Sequence, residues 1–346
     1  MKKYYTNWHI WKKIRIPAYI LNFFSCFLVK KIHYRNIYNF ILQTDICGIM
    51  MKNYFSTEVI LAINTETKLT GLIGYPLMQS YSPAMQNAAF QKCKLNKIYI
   101  PIETEPASLE SVVKGISKMK FEGFNVTKPY KIEIMKYLDE IDEYASLIGA
   151  VNTVKIISGI LKGYNTDGNG FLRSFEENTR AKIEGKNIFI LGGGGAARAI
   201  AMTLALNNVK KIYICNRTFE KAAALSADVN KLVSCDAVSM EYGDMKNAIN
   251  DSHVLINTTS LGMFPNVDGS PINKNLLNEN LIICDIVYNP AKTKLLNDAE
   301  EKGCKIVPGL PMLVYQGAES FEIWTNMSAP VDVMFKAAEE ASLRRL

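Results

Sequence analysis

The chain has 346 residues, enough for two domains that each bury a core, and its 48% apolar and 21% charged composition is that of a globular protein, which excludes a disordered or low-complexity chain. The formal net charge of +7 is unevenly placed: residues 1–66 hold nine Lys and Arg against three Asp and Glu, leaving 31 basic and 30 acidic residues for everything after. A main body so close to neutral argues against nucleic acid, and no such partner is expected.

The front segment has a basic lead, an uncharged run from Ile16 to Val29, and then Lys30 and Lys31. That run falls short of the roughly 20 residues of a spanning helix, and no small-residue cleavage site follows it. It reads as a membrane-surface anchor, a poorly ordered extension, or upstream sequence joined by a wrong start, since Met50 and Met51 precede the first patterned strand. The latter two are preferred, and no membrane partner is expected. The cysteines at 26, 47, 93, 215, 235, 284 and 304 are widely spaced without a C-x-x-C, so neither a disulfide framework nor a metal site is expected, and a reducing cytoplasm fits. His253, the one histidine of the main body, stands at a strand start and reads as structural.

From Lys68 onward, strand-length apolar runs alternate with helical patterns. KLTGLIG, KIYIPIE and FEGFNVT read as strands, with helices predicted over Ser82 to Cys93 and Ala107 to Met119. Ser82 can cap the first of these, with Pro83 at its first helical position. GAVNTVKII and GILKGYNTDG read as a hairpin turning at Ser158 and Gly159, closing a first unit near Thr166. A second unit runs through KNIFILGGGGAARA, VKKIYICNRT, SHVLINTTS, LIICDIVYN and CKIVPG. Two further helices, Met312 to Asn326 and Val331 to Leu343, have no strand to serve and are expected to pack back on the first unit. The predicted fold is α/β with two domains. An N-terminal α/β substrate domain spans 67–166 and is completed by 310–346, and a doubly wound Rossmann-type dinucleotide domain spans 167–309.

Gly192, Gly194 and Ala197 have the G-x-G-x-x-G/A spacing between an apolar strand and an Ala-rich helix. There the first glycine permits the turn, the second lets backbone amides approach a pyrophosphate, and the anion sits on the helix N-terminus. The next strand ends in Asn216, Arg217 and Thr218, with Lys221 one turn on, where an acid for the NAD ribose would otherwise stand. Alone this is a solvated basic turn; coupled to the glycine loop it favours the 2′-phosphate of NADP. NVTKPYK ends a first-domain strand, where ligands of open α/β sheets bind. With no histidine to move a proton, a lysine of this turn is the candidate, and Asp167 its partner.

GYPLMQSYSPAMQNAAF, NVTKPYK, GAVNT, GYNTDG, LGGGGAARA, NRT, DIVYNPAKTKLL and PGLPMLVYQGAESFEIW occur in the order and at about the intervals of shikimate dehydrogenases, and the chain from about Lys68 to Leu343 resembles that family. The resemblance implies reversible, NADPH-dependent reduction of 3-dehydroshikimate to shikimate, a step of aromatic amino-acid biosynthesis. It also implies Lys131 as the catalytic lysine with Asp167 as its acidic partner, leaving Lys128 as a solvated neighbour. Ser80 and Ser82 match the hydroxyls that bind the substrate carboxylate; Thr127, Asn152, Asp167, Tyr288 and Gln316 match other substrate contacts. Gly192, Gly193, Gly194, Gly195, Ala196, Asn216, Arg217, Thr218 and Lys221 match cofactor positions, with Glu143, Ile286, Gly309 and Met312 toward the nicotinamide. Residues 1–66 have no counterpart in the family pattern. A quinate/shikimate dehydrogenase and a non-catalytic shikimate sensor stand as alternatives. A monomer or homodimer is expected.

Overall fold

The computed structural model describes residues 63–77, 80–233 and 235–343. The expectations for the front segment therefore lie outside the described residues, apart from its last few positions.

Two six-stranded sheets carry the fold. The first runs β2-β1-β3-β5-β6-β4. Its strands are β1 (Lys68–Gly74), β2 (Lys97–Glu103), β3 (Phe121–Val126), β4 (Glu140–Ile141), β5 (Thr153–Ile157) and β6 (Ile160–Tyr164). Strand β1 pairs in parallel with β2 and β3, and β5 runs antiparallel to β3 and β6. The predicted hairpin is present: Ser158 and Gly159 have φ of 52° and 85°, the left-handed pair that matches strand twist in a two-residue turn.

The second sheet is all parallel, in the order β12-β11-β10-β7-β8-β9. Its strands are β7 (Asn187–Leu191), β8 (Lys211–Cys215), β9 (Asp236–Met240), β10 (Val254–Asn257), β11 (Ile282–Asp285) and β12 (Lys305–Val307). Every residue of β7 is buried, as a central strand covered on both faces requires. Strand order reverses between β7 and β10, which is where such sheets bind ligands. His253 is structural here, its Nδ1 accepting from the backbone N–H of Asn187 at 3.0 Å. Strand β9 escaped the sequence reading because only Ala237 in it is buried, so the edge strand has almost no apolar pattern.

Helices α1 (Ser82–Lys92), α2 (Leu109–Ile116) and α3 (Glu143–Ile148) belong to the first half of the chain, and α4 (Asp167–Thr179) follows β6. In the second half are α5 (Gly195–Leu206), α6 (Phe219–Leu232), α7 (Met245–Asn250) and α8 (Lys294–Glu301). Helices α9 (Gly309–Thr325) and α10 (Val331–Leu343) return to the first half, where α9 packs on α4 and α10 on α1.

Several helix boundaries differ from expectation. Helix α2 stops at Ile116 because Met119 faces solvent and extends no apolar stripe. Helix α9 starts three residues early, since Pro311 in the first turn forfeits no helical hydrogen bond. Ser82 is the first helical residue of α1 instead of its cap, and its N–H donates to Ser80 Oγ at 3.2 Å.

Candidate active site

The turn after β3 is anchored from inside. The Tyr130 ring is buried and its hydroxyl donates to the backbone oxygen of Thr104, while the N–H of Val151 donates to the Lys131 carbonyl at 2.7 Å. Lys131 is thereby turned inward and Lys128 is left exposed. The Lys131 Nζ donates to Asp167 Oδ2 at 2.6 Å, with side-chain exposures of 17% and 5%. A pair so nearly excluded from water is held far more strongly than a surface one.

Asp167 opens α4, its backbone N–H donating to Asn165 Oδ1 at 3.0 Å and its Oδ1 accepting from Asn152 Nδ2 at 3.0 Å. The same Asn152 amide reaches Thr166 Oγ1 at 2.9 Å and Gln316 Oε1 at 3.3 Å. Lys131, Asn152, Asp167 and Gln316 are therefore one group, assembled from a turn, the residue before β5 and two helices.

Ser80 and Ser82 bracket the start of α1, and the positive end of a helix favours an anion. The ring of Tyr81, the residue between them in sequence, lies 5.0 Å from that of Tyr288, which comes from the second half of the chain. Thr127 is pinned against the end of β1, its N–H donating to the Ile73 carbonyl at 2.9 Å.

The glycine loop lies at the switch point. Gly192 has φ 121°, which admits only glycine comfortably, and its N–H donates to the Cys215 carbonyl at 2.8 Å. Gly193 packs against Asn216 and Lys221, a Cβ on Gly194 would enter open space, and Gly195 and Ala196 begin α5. Arg217, Thr218 and Lys221 are exposed at the end of β8, and Asn216 Nδ2 holds the turn by donating to the Thr218 carbonyl at 2.8 Å. Open space before a helix N-terminus, with a guanidinium and an ammonium beyond β8, fits a dinucleotide with a 2′-phosphate. Gly309 abuts the carbonyls of Ile286 and Val287, and Met312 is buried in the core of the parallel sheet. Glu143 is exposed at the start of α3, next to Tyr144, whose hydroxyl meets Thr203 two turns down α5 from the loop.

Sequence reasoning passed over Thr258 and Thr166. Thr258 Oγ1 donates to the Leu191 carbonyl at 2.6 Å beneath Gly192, and its position just past β10 at a parallel-sheet switch point was the available signal. Thr166 bridges Asn152 to the backbone of Gln316, a relation with no local signature. Among the described residues there is no cluster suited to a metal and no helix long and apolar enough to cross a membrane, and the five described cysteines are free. Burial pushes the Asp285 carboxyl up to about 6, against the opposing hydrogen bonds of Thr293, Val287 and Asn257.

A mixed α/β sheet, a parallel sheet with a glycine loop, and a buried lysine–carboxylate pair where the two meet define a dinucleotide-dependent oxidoreductase. Family models match on three segments: the shikimate dehydrogenase substrate binding domain over residues 72–154, the shikimate/quinate 5-dehydrogenase over 175–287, and the shikimate 5'-dehydrogenase C-terminal domain over 309–339. A shikimate dehydrogenase (NADP+) of Alkaliphilus oremlandii is 47% identical over 282 residues, covering 79% of this chain and 97% of that protein. A crystal structure of a shikimate dehydrogenase with NADP+ superposes with a TM-score of 0.75 at 44% identity, covering 80% of this chain and 96% of that one. A quinate dehydrogenase of Corynebacterium glutamicum in complex with NAD gives 0.74 at 30% identity, covering 79% and 99%. The chain belongs to the shikimate dehydrogenase family.

Proposed function

We propose that this enzyme catalyses the reversible NADP-dependent interconversion of shikimate and 3-dehydroshikimate in aromatic amino-acid (chorismate) biosynthesis, with Lys131 moving the proton. The observation that carries this reading is the 2.6 Å Lys131–Asp167 pair, set against the glycine loop at Gly195. Bound NADP supplies a hydride acceptor or donor at its nicotinamide. In the reductive direction the Lys131 ammonium gives a proton to the oxygen of the reacting carbonyl; in the oxidative direction the neutral amine takes the hydroxyl proton. Asp167 fixes the Nζ in place. Ser80 and Ser82 hold the substrate carboxylate at the start of α1, and Thr127, Asn152, Tyr288 and Gln316 supply fixed donors and acceptors to its hydroxyls.

The glycine loop from Gly192 to Ala196 holds the pyrophosphate, while Asn216, Arg217, Thr218 and Lys221 receive the adenosine end with its 2′-phosphate. Residues 67–166 with 310–346 form the substrate domain and 167–309 the NADP domain. The enzyme works in a reducing cytoplasm, as a monomer or homodimer. A sensor that only binds would have no use for the buried ion pair. The test is Lys131→Ala, which should lower kcat by about a thousandfold while leaving the shikimate KM within a few-fold; near-normal turnover would remove Lys131 from its role.

A further inference from the structure

Asp167 is steered by a buried polar chain that begins well away from it. The hydroxyl of Tyr99, hydrogen-bonded to the Ser82 side chain, donates to Asn125 Oδ1 at 2.8 Å. Asn125 Nδ2 donates to Thr153 Oγ1 and to Ser320 Oγ, each at 3.0 Å; the Thr153 hydroxyl donates to Asn152 Oδ1 at 3.0 Å and lies 2.8 Å from Ser320 Oγ, which can serve as either donor or acceptor to it. The second donor to Asn152 Oδ1 is the backbone N–H of Thr166 at 2.8 Å, which cannot reverse its polarity. With its oxygen held by two donors, the Asn152 amide can present only its Nδ2 to Asp167. Tyr99, Asn125, Thr153 and Asn152 are each at most 6% exposed, so the bonds act in a medium where water cannot substitute for a lost partner.

We propose that Thr153, backed by Asn125 and Tyr99, is a positioning residue for proton transfer: its hydroxyl locks the Asn152 amide, and through it the Asp167 carboxylate that holds Lys131. This rests on the reading of Lys131 and Asp167 as the proton-transferring pair. Thr153 contacts neither substrate nor cofactor in this role. Its side chain is fully buried on β5, where its shape also matters to packing, so shape and hydroxyl must be separated by experiment.

Thr153→Val keeps the branched shape and removes the hydroxyl; Thr153→Ser keeps the hydroxyl and removes a methyl. Steady-state shikimate oxidation and thermal unfolding should be measured for both, alone and on a Lys131→Ala background. The expected result is a kcat about tenfold lower in Thr153→Val, with an NADP KM within twofold of wild type, and near-normal kcat in Thr153→Ser even if its Tm is the lower of the two. Thr153→Val should cost nothing further on the Lys131→Ala background. The proposal is overturned by a folded Thr153→Val of normal kcat, or by losses in both variants that follow Tm and move the NADP KM equally. Near-normal turnover of Lys131→Ala would overturn the premise instead, which is a distinguishable result.

Discussion

The stem of Lys131 lies directly on Gly195: a Cβ placed on that glycine would stand 3.2 Å from the Lys131 Cβ and 3.4 Å from its Cδ. The first residue of α5, the helix proposed to receive the dinucleotide, thus backs the side chain proposed to move the proton. Gly195→Ala demands a shift of a few tenths of an ångström, whereas Gly195→Val must displace the lysine. We predict a few-fold loss of kcat for the alanine variant and about a hundredfold loss for valine, with Lys131 misplaced in a crystal structure of the latter. Equal kinetics in the two variants would show that the contact is immaterial.

Asp167→Asn keeps the shape of the carboxylate and removes its charge, leaving the Lys131 ammonium 17% exposed without a counterion. Removing one member of a buried pair costs more than the pair contributes. We predict a kcat about a hundredfold lower, together with a lower Tm; unchanged turnover would mean that Asp167 only packs.

Arg217 stands exposed where β8 ends, as a residue that pairs with a 2′-phosphate must before the cofactor arrives. Arg217→Ala is expected to reduce kcat/KM for NADP by about 10- to 100-fold, the scale of one charge-assisted pair, and to leave the value for NAD within about twofold. Parallel losses with both cofactors would assign Arg217 a structural role.

Asp285, 1% exposed, has a carboxyl pushed up to about 6, while an unfolded Asp titrates near 4. Between those values the native state holds more protons than the unfolded one, so this group makes stability fall as pH rises from about 4 to about 6. Asp285→Asn lacks that titration. Between pH 4 and pH 7 the unfolding free energy of the variant should gain on wild type by on the order of 2 kcal/mol, measured by urea unfolding; a constant difference would show that Asp285 does not titrate in this range.

The parts legible in the sequence were those encoded locally. The glycine loop stands between an apolar strand and an alanine-rich helix within a few residues, and the Ser158–Gly159 turn is flanked by its own two strands. The Asn152 hub was legible only as a family position, because its partner Gln316 lies 164 residues away and Thr166 acts through its backbone N–H as much as its side chain. The Ser82 cap was misplaced by one residue since Ser80, two residues earlier, supplies the accepting hydroxyl. Gly195 was expected at a pyrophosphate, but no pattern within the loop could show that it also backs Lys131.

The most direct test is the initial rate of NADPH oxidation with 3-dehydroshikimate, beside NADH and 3-dehydroquinate. Fast turnover is predicted for NADPH with 3-dehydroshikimate alone. Preference for NADH or 3-dehydroquinate would turn the assignment toward a quinate dehydrogenase, and no turnover with any pair, from folded protein that still binds NADPH, would contradict the account.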